Sequence, residues 1–223
     1  MDYYRLHPWE VPPEEARRIQ IRLRKRLVKP KKIKKISRIA AADVAYSKDE
    51  KWVYAVVAVF AYPSLKMIEQ QNAKRKVAFP YIPGLLTFRE GPVLLSAFKK
   101  IRSDPEVTIF DGQGIAHPAG MGIATHLGIL LDKPTIGSAK SRLIGKYDEP
   151  PKETGQYSYL LHHGAVVGAV LRTRKNVKPI FVSPGFKINL EDSIKIILDC
   201  CRNYRLPEPI RQVHALTVQV REI

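Results

Sequence analysis

Val107-Thr108-Ile109-Phe110-Asp111-Gly112-Gln113-Gly114-Ile115-Ala116-His117-Pro118 decides how this chain is read. A run of β-branched and aromatic residues ends in an acid and then in two glycines, the pattern of a buried strand that stops abruptly. Asp111 then stands at the strand's C-terminal end, where open α/β sheets bind their ligands. Gly112 and Gly114 leave room for a sharp bend or for close approach to the backbone. His117 is a further candidate in the same turn. One carboxylate does not make a site, so its partners must come from elsewhere in the chain.

Upstream, residues 36–46 and 52–62 read as strands joined by the polar turn 47–51, and residues 65–71 read as a third. Short strands with tight connections make an antiparallel meander. Asp43 interrupts the first strand among small residues, a costly place for a carboxylate unless a cationic group meets it. Phe79-Pro80-Tyr81-Ile82-Pro83-Gly84-Leu85-Leu86 follows as a stiff loop whose prolines fix the backbone, projecting Tyr81 outward or burying it. Glu90 is expected to open the next helix, with Pro92 in its first turn and Val93, Leu94, Ala97, Phe98 and Ile101 as the apolar stripe. That spacing turns Glu90 inward, toward the sheet.

Downstream, residues 121–131 read as a helix and 133–137 as a short parallel strand, which puts Lys140 at a strand end on the Asp111 side. Residues 157–161 and 165–172 form a hairpin around His162-His163-Gly164, and residues 180–182 form a last short strand. Asn189 caps a helix with Glu191 and Asp192 in its first turn. A final helix starts near Glu208, with His214 on its apolar stripe, the usual place of a hydrogen-bonded core histidine. The element order predicts an α/β fold: a mixed sheet, an antiparallel three-strand meander plus parallel strands, flanked by helices.

The whole chain of 223 residues, 45% hydrophobic, is expected to form one domain with a basic N-terminal helix and linker at about residues 12–35. Within that segment, residues 17–35 carry eleven Lys or Arg and no acid. Over the chain, 38 basic residues face 21 acidic ones, for a net charge of +17, which points to a polyanionic partner. The longest apolar run, residues 53–62, is too short to cross a membrane, which takes about 20 residues. Met1-Asp2-Tyr3-Tyr4-Arg5 leads into prolines rather than an apolar core, so no signal peptide is expected. Cys200 and Cys201 are adjacent and read as packing residues in a reducing compartment, so the expected localisation is cytoplasmic.

Asp43, Glu90 and Asp111 converge on one end of the sheet. Hard oxygen donors suit Mg²⁺, or Mn²⁺ as a substitute, rather than zinc. Carboxylate-held Mg²⁺ beside a basic surface fits metal-assisted phosphodiester cleavage.

The motifs Ala42-Asp43-Val44, residues 79–86, Phe88-Arg89-Glu90-Gly91-Pro92, Phe110-Asp111-Gly112-Gln113-Gly114 with His117-Pro118, Pro134-Thr135-Ile136-Gly137, Ala139-Lys140-Ser141-Arg142 and Val182-Ser183-Pro184-Gly185 occur in this order. Together they resemble the endonuclease V (deoxyinosine 3′-endonuclease) family over nearly the whole chain. The resemblance implies a ribonuclease H-like fold and a DNA-repair activity: hydrolysis of the second phosphodiester bond 3′ to deoxyinosine, leaving 3′-hydroxyl and 5′-phosphate ends. It implies Asp43, Glu90, Asp111, Lys140 and His214 as catalytic residues, with Asp43 and Asp111 as the metal-binding carboxylates. Pro80, Tyr81, Ile82 and Pro83 would form a wedge that enters the duplex. Backbone groups of Gly84, Leu86, Gly112, Gly122 and Ile123 would form the hypoxanthine pocket, the glycines letting the base come close. Ala41-Ala42 departs from the Gly-Val that often precedes the first acid, but both residues are small. The expected partner is DNA containing deoxyinosine, bound by a monomer with no membrane association. Inosine-containing RNA would use the same motifs. A non-catalytic nucleic-acid-binding module on this fold would have lost acids that are present, and a small-molecule phosphotransferase would leave the charge excess unexplained.

Overall fold

The computed structural model describes residues 1–30, 33 and 35–222. Lys31, Lys32 and Lys34 of the basic tract lie outside the described residues. Among the described residues, the chain runs α1 (Pro13–Arg24), β1 (Arg38–Tyr46), β2 (Trp52–Ala61), β3 (Met67–Lys76), α2 (Leu86–Phe98), β4 (Val107–Asp111), α3 (Ile123–Leu131), β5 (Thr135–Ala139), β6 (Tyr157–His162), β7 (Ala165–Leu171), β8 (Ile180–Phe186), α4 (Leu190–Asp199) and α5 (Glu208–Glu222). The strands form one sheet in the order β3-β2-β1-β4-β5-β8-β7-β6. The meander β1–β3 is antiparallel, and β1, β4 and β5 run parallel at the centre. β8, β7 and β6 continue the sheet with antiparallel pairings. This is the mixed α/β sheet expected.

Strand alternation assigns the two faces. Ile39 and Ala41 of β1, with Val107 and Ile109 of β4, pack against Ile194, Ile197, Ile210 and Val213 of α4 and α5. Ala40, Ala42 and Phe110 face Val93, Leu94, Phe98 and Leu127 of α2 and α3. The alanines of β1 give the helices close access to the sheet centre. Helix α1 lies outside this sandwich, where Ala16, Ile19 and Leu23 meet Phe79, Phe88 and Met121. Glu14 and Glu15 in its first turn and Arg22 and Arg24 in its last suit the helix dipole.

Several details differ from the expectation. Helix α2 begins at Leu86, so Glu90 is its fifth residue rather than its opening one, and Pro92 lies in its interior. The Gly84 turn, at φ +82°, starts the helix early, and Pro92 forgoes only one intrahelical hydrogen bond. Strand β3 extends to Lys76 and β8 to Phe186, because long ladders on β2 and β5 carry them past their apolar segments. β8 therefore includes Ser183-Pro184-Gly185, with an irregularity where Thr135 and Ile136 pair. His163 and Gly164, at φ +47° and +77°, make the two-residue hairpin turn between β6 and β7.

Candidate active site

β1 and β4 pair in parallel up to Ala42 and Phe110. Asp43 and Asp111 are the next residue on each strand, side by side where the ladder ends, about 4.8 Å apart by strand spacing. Both have Ile39–Ala41 parity, toward the α4–α5 face. There His214 Nδ1 of α5 lies 2.8 Å from Asp43 Oδ2, and Thr217 Oγ1 donates to the same oxygen at 3.4 Å. His214 is thus not a core histidine: its side chain is 58% exposed at the sheet's open end. One helical turn brings His214 and Thr217 to the same carboxylate.

Lys140 follows directly on β5, and its ammonium sits 2.6 Å from Asp111 Oδ2. Burial pushes the Asp111 carboxyl up, and the Lys140 hydrogen bond and charge oppose that push. Glu90 comes from the opposite face, 8% exposed, and accepts a hydrogen bond from Tyr46 Oη at 3.1 Å. Burial raises its pKa to about 8, against the Tyr46 hydrogen bond, with the charges of Asp43 and Asp111 adding to the rise. A cation among these groups would relieve that accumulation of negative charge.

Among the described residues, no group of three or more His, Cys, Asp or Glu side chains forms a ready-made metal cage. The donor chemistry nevertheless fits a hard ion held by two carboxylates, Asp43 and Asp111, with water and substrate oxygens completing the shell, as Mg²⁺ is commonly bound.

Beside Asp111 and Lys140 opens a cavity of about 340 Å³. Its walls include Tyr81, Ile82, Pro83, Gly84, Leu86, Gly112, His117, Gly122 and Ile123. Pro80 is not part of the lining, nor are Asp43, Glu90 and His214, so the cavity meets the acidic cluster through Asp111. Tyr81 is 68% exposed, a projection rather than a core residue. Gly112 and Gly122, both on the cavity wall, are also required by the packing around them. A Cβ on Gly112 would come within 2.7 Å of the Ile123 side chain, and one on Gly122 within 2.2 Å of the Gln113 carbonyl oxygen. Their missing side chains allow close packing between the loops that carry the site.

A family model described as Endonuclease V matches residues 21–215. The chain belongs to the endonuclease V family. Endonuclease V of Methanothrix thermoacetophila is 47% identical over 219 residues, covering 98% of this chain and 96% of the relative. The crystal structure of endonuclease V from Bacillus subtilis superposes with a TM-score of 0.94 at 33% identity, covering 100% of this chain and 98% of that one. Endonuclease V of Ciona intestinalis, in complex with a 24mer DNA containing an inosine followed by a ribo-adenosine, gives a TM-score of 0.83 at 28% identity over 94% of this chain and 97% of that one. The protein is accordingly a nuclease that hydrolyses phosphodiester bonds on a ribonuclease H-like fold. No helix among its described residues is long and apolar enough to cross a membrane.

Some residues that shape the site are not among the candidate site residues of the sequence. Arg89 stacks over the Tyr46 ring at 4.7 Å and donates to the Phe79 carbonyl at 3.2 Å, linking the Glu90 partner to the loop of residues 79–86. Arg205 Nη2 donates to the carbonyl oxygens of Lys140 at 2.6 Å and Pro179 at 2.8 Å, bracing the end of β5. Gln20 Nε2 donates to the Gly84 carbonyl at 2.8 Å. Gln20 carried a readable signal, a polar residue within the buried stripe of α1. Arg205, in a loop, carried none.

Proposed function

We propose that this protein recognises deoxyinosine in DNA and hydrolyses the second phosphodiester bond 3′ to it, leaving 3′-hydroxyl and 5′-phosphate ends. The observation that carries the reading is the Asp111–Lys140 pair on the wall of a cavity whose rim is the projecting Tyr81 loop. A base lifted from the stack would enter the cavity, with Tyr81, Ile82 and the flanking prolines filling the gap it leaves. Backbone groups of Gly84, Leu86, Gly112, Gly122 and Ile123 would tell hypoxanthine, with a carbonyl acceptor at its six-position, from adenine, with an amino donor there.

Asp43 and Asp111 would hold Mg²⁺, for which Mn²⁺ could substitute. When bound, the ion supplies charge stabilisation and favours deprotonation of water. Glu90 completes the acidic cluster from the α2 side. Lys140, 43% exposed, offers its ammonium to the scissile phosphate as charge builds in the transition state. His214, held through Nδ1 by Asp43 and with no partner for Nε2 among the described residues, would carry a proton to or from the reacting oxygens through Nε2. The protein would act as a monomer in the cytoplasm.

The test is incubation with DNA and RNA oligonucleotides, each with one central inosine, in Mg²⁺ and in EDTA, beside Asp111→Ala. Metal-dependent cleavage of the DNA, absent in the variant, is expected. Cleavage of the RNA alone would transfer the reading to an inosine-specific ribonuclease, and intact substrates with retained binding would overturn it.

A further inference from the structure

The wedge loop is a partition with a second cavity behind it. Pro83, Gly84 and His117 line the cavity beside Asp111 and also a groove of about 460 Å³ on the far side. The other wall of that groove is one face of α1: Arg17, Gln20, Ile21 and Arg24, at the i, i+3, i+4, i+7 spacing that aligns side chains along a helix. Gln20 is buried and grips the Gly84 carbonyl, which the His117 ring also meets. The partition is therefore pinned from the α1 side.

The α1 wall has the wrong chemistry for a packing face. Ile21 is 61% exposed between two arginines, and among the described residues neither Arg17 nor Arg24 pairs with a carboxylate. Seven residues of helix set the two arginines about 10 Å apart along the axis. Cation, exposed aliphatic group, cation is a pattern suited to phosphate, sugar or base, and phosphate.

We infer that this groove is a second nucleic-acid site, which takes the strand opposite the inosine. The inference rests on the proposed deoxyinosine activity. A wedge driven into a duplex sends the strands to its two sides: the lesion base goes to the Asp111 cavity, and the unpaired complementary strand goes to α1. Arg17 and Arg24 hold its phosphates, and Ile21 covers its exposed sugar or base edge. The site makes the enzyme favour duplex over single-stranded substrate without touching the lesion.

The test compares wild type with Arg17→Ala/Arg24→Ala in EDTA, by anisotropy on a labelled inosine duplex and on the inosine strand alone. Duplex affinity is expected to fall about tenfold, and the slope of log affinity against log salt to drop by about two, for two lost phosphate contacts. Affinity for the single strand stays within about twofold. Arg17→Lys/Arg24→Lys restores the duplex affinity, which separates charge from folding. Equal weakening on both probes would place the lesion strand on α1 and overturn the inference, as would no weakening on either. Failure of the underlying reading would look different: wild type would bind inosine and adenine duplexes equally.

Discussion

His117 stands in the partition between the two cavities, and its chemistry makes the fold acid-sensitive in a measurable way. Its Nδ1 accepts from the Ala119 N–H at 3.2 Å, and Nε2 faces the Gly84 carbonyl. Both nitrogens are committed as a neutral ring requires, one acceptor and one donor. The ring is 7% exposed, and burial lowers its pKa from 6.5 to about 4, against the Gly84 hydrogen bond. The unfolded chain therefore binds a proton between those values that the folded chain does not. The stability this site contributes is complete above pH 6.5 and is lost as pH falls toward 4. At about pH 4.5 the loss is about 2.5 kcal/mol, or about 5–10 °C in Tm for a chain of this size. Burial lowers His7 and His126 in the same direction, and depressed carboxylates such as Glu106 lose stability on acidification too. The clean quantity is therefore a difference: denaturant unfolding at pH 7 and 4.5, wild type against His117→Gln. The variant should lose less stability on acidification by about 2.5 kcal/mol. Equal losses in both proteins would refute the neutral, buried state of His117.

Gly137→Ala places a methyl 2.3 Å from the Gly114 nitrogen and 2.7 Å from the Gly112 carbonyl oxygen, with no flexible side chain able to yield. Calorimetry should show a loss of about 3 kcal/mol, with cleavage falling as the Asp111 turn is displaced. Arg205→Ala removes two charge-assisted hydrogen bonds at the end of β5. It should cost about 2 kcal/mol of stability and lower kcat more than it raises KM, because Lys140 loses its brace. Tyr81→Ala deletes an exposed ring, so unfolding free energy should move by less than about 0.5 kcal/mol. Affinity for an inosine duplex should nevertheless fall about tenfold, the lower end of one base–aromatic stack.

The placement of the two strand-end carboxylates was legible because its signals are local. A β-branched run ending at Asp111 announces a strand end whatever the rest of the sheet does, and Asp43 within a small-residue strand stands out by its cost of burial. The start of α2 was misplaced because Pro92 resembles a first-turn proline, while the positive-φ turn at Gly84 is what sets the boundary. His214 sits on a helix stripe that the 3.6-residue period assigns to the core. Only the end of the sheet, where β1 outruns β4, leaves that stripe open to solvent. Gln20 and Arg205 reach across 64 and 65 residues of sequence to a backbone carbonyl, and no local pattern encodes such a partner.

On the proposed function, the cavity beside Asp111 directs a cut to a fixed distance from inosine. The most direct test is mass mapping of the products from a duplex with one inosine, against the same duplex with adenine. A single cut at the second phosphodiester 3′ to inosine, with 3′-hydroxyl and 5′-phosphate ends and none on the adenine duplex, is the predicted result. Cuts spread along both duplexes would contradict it.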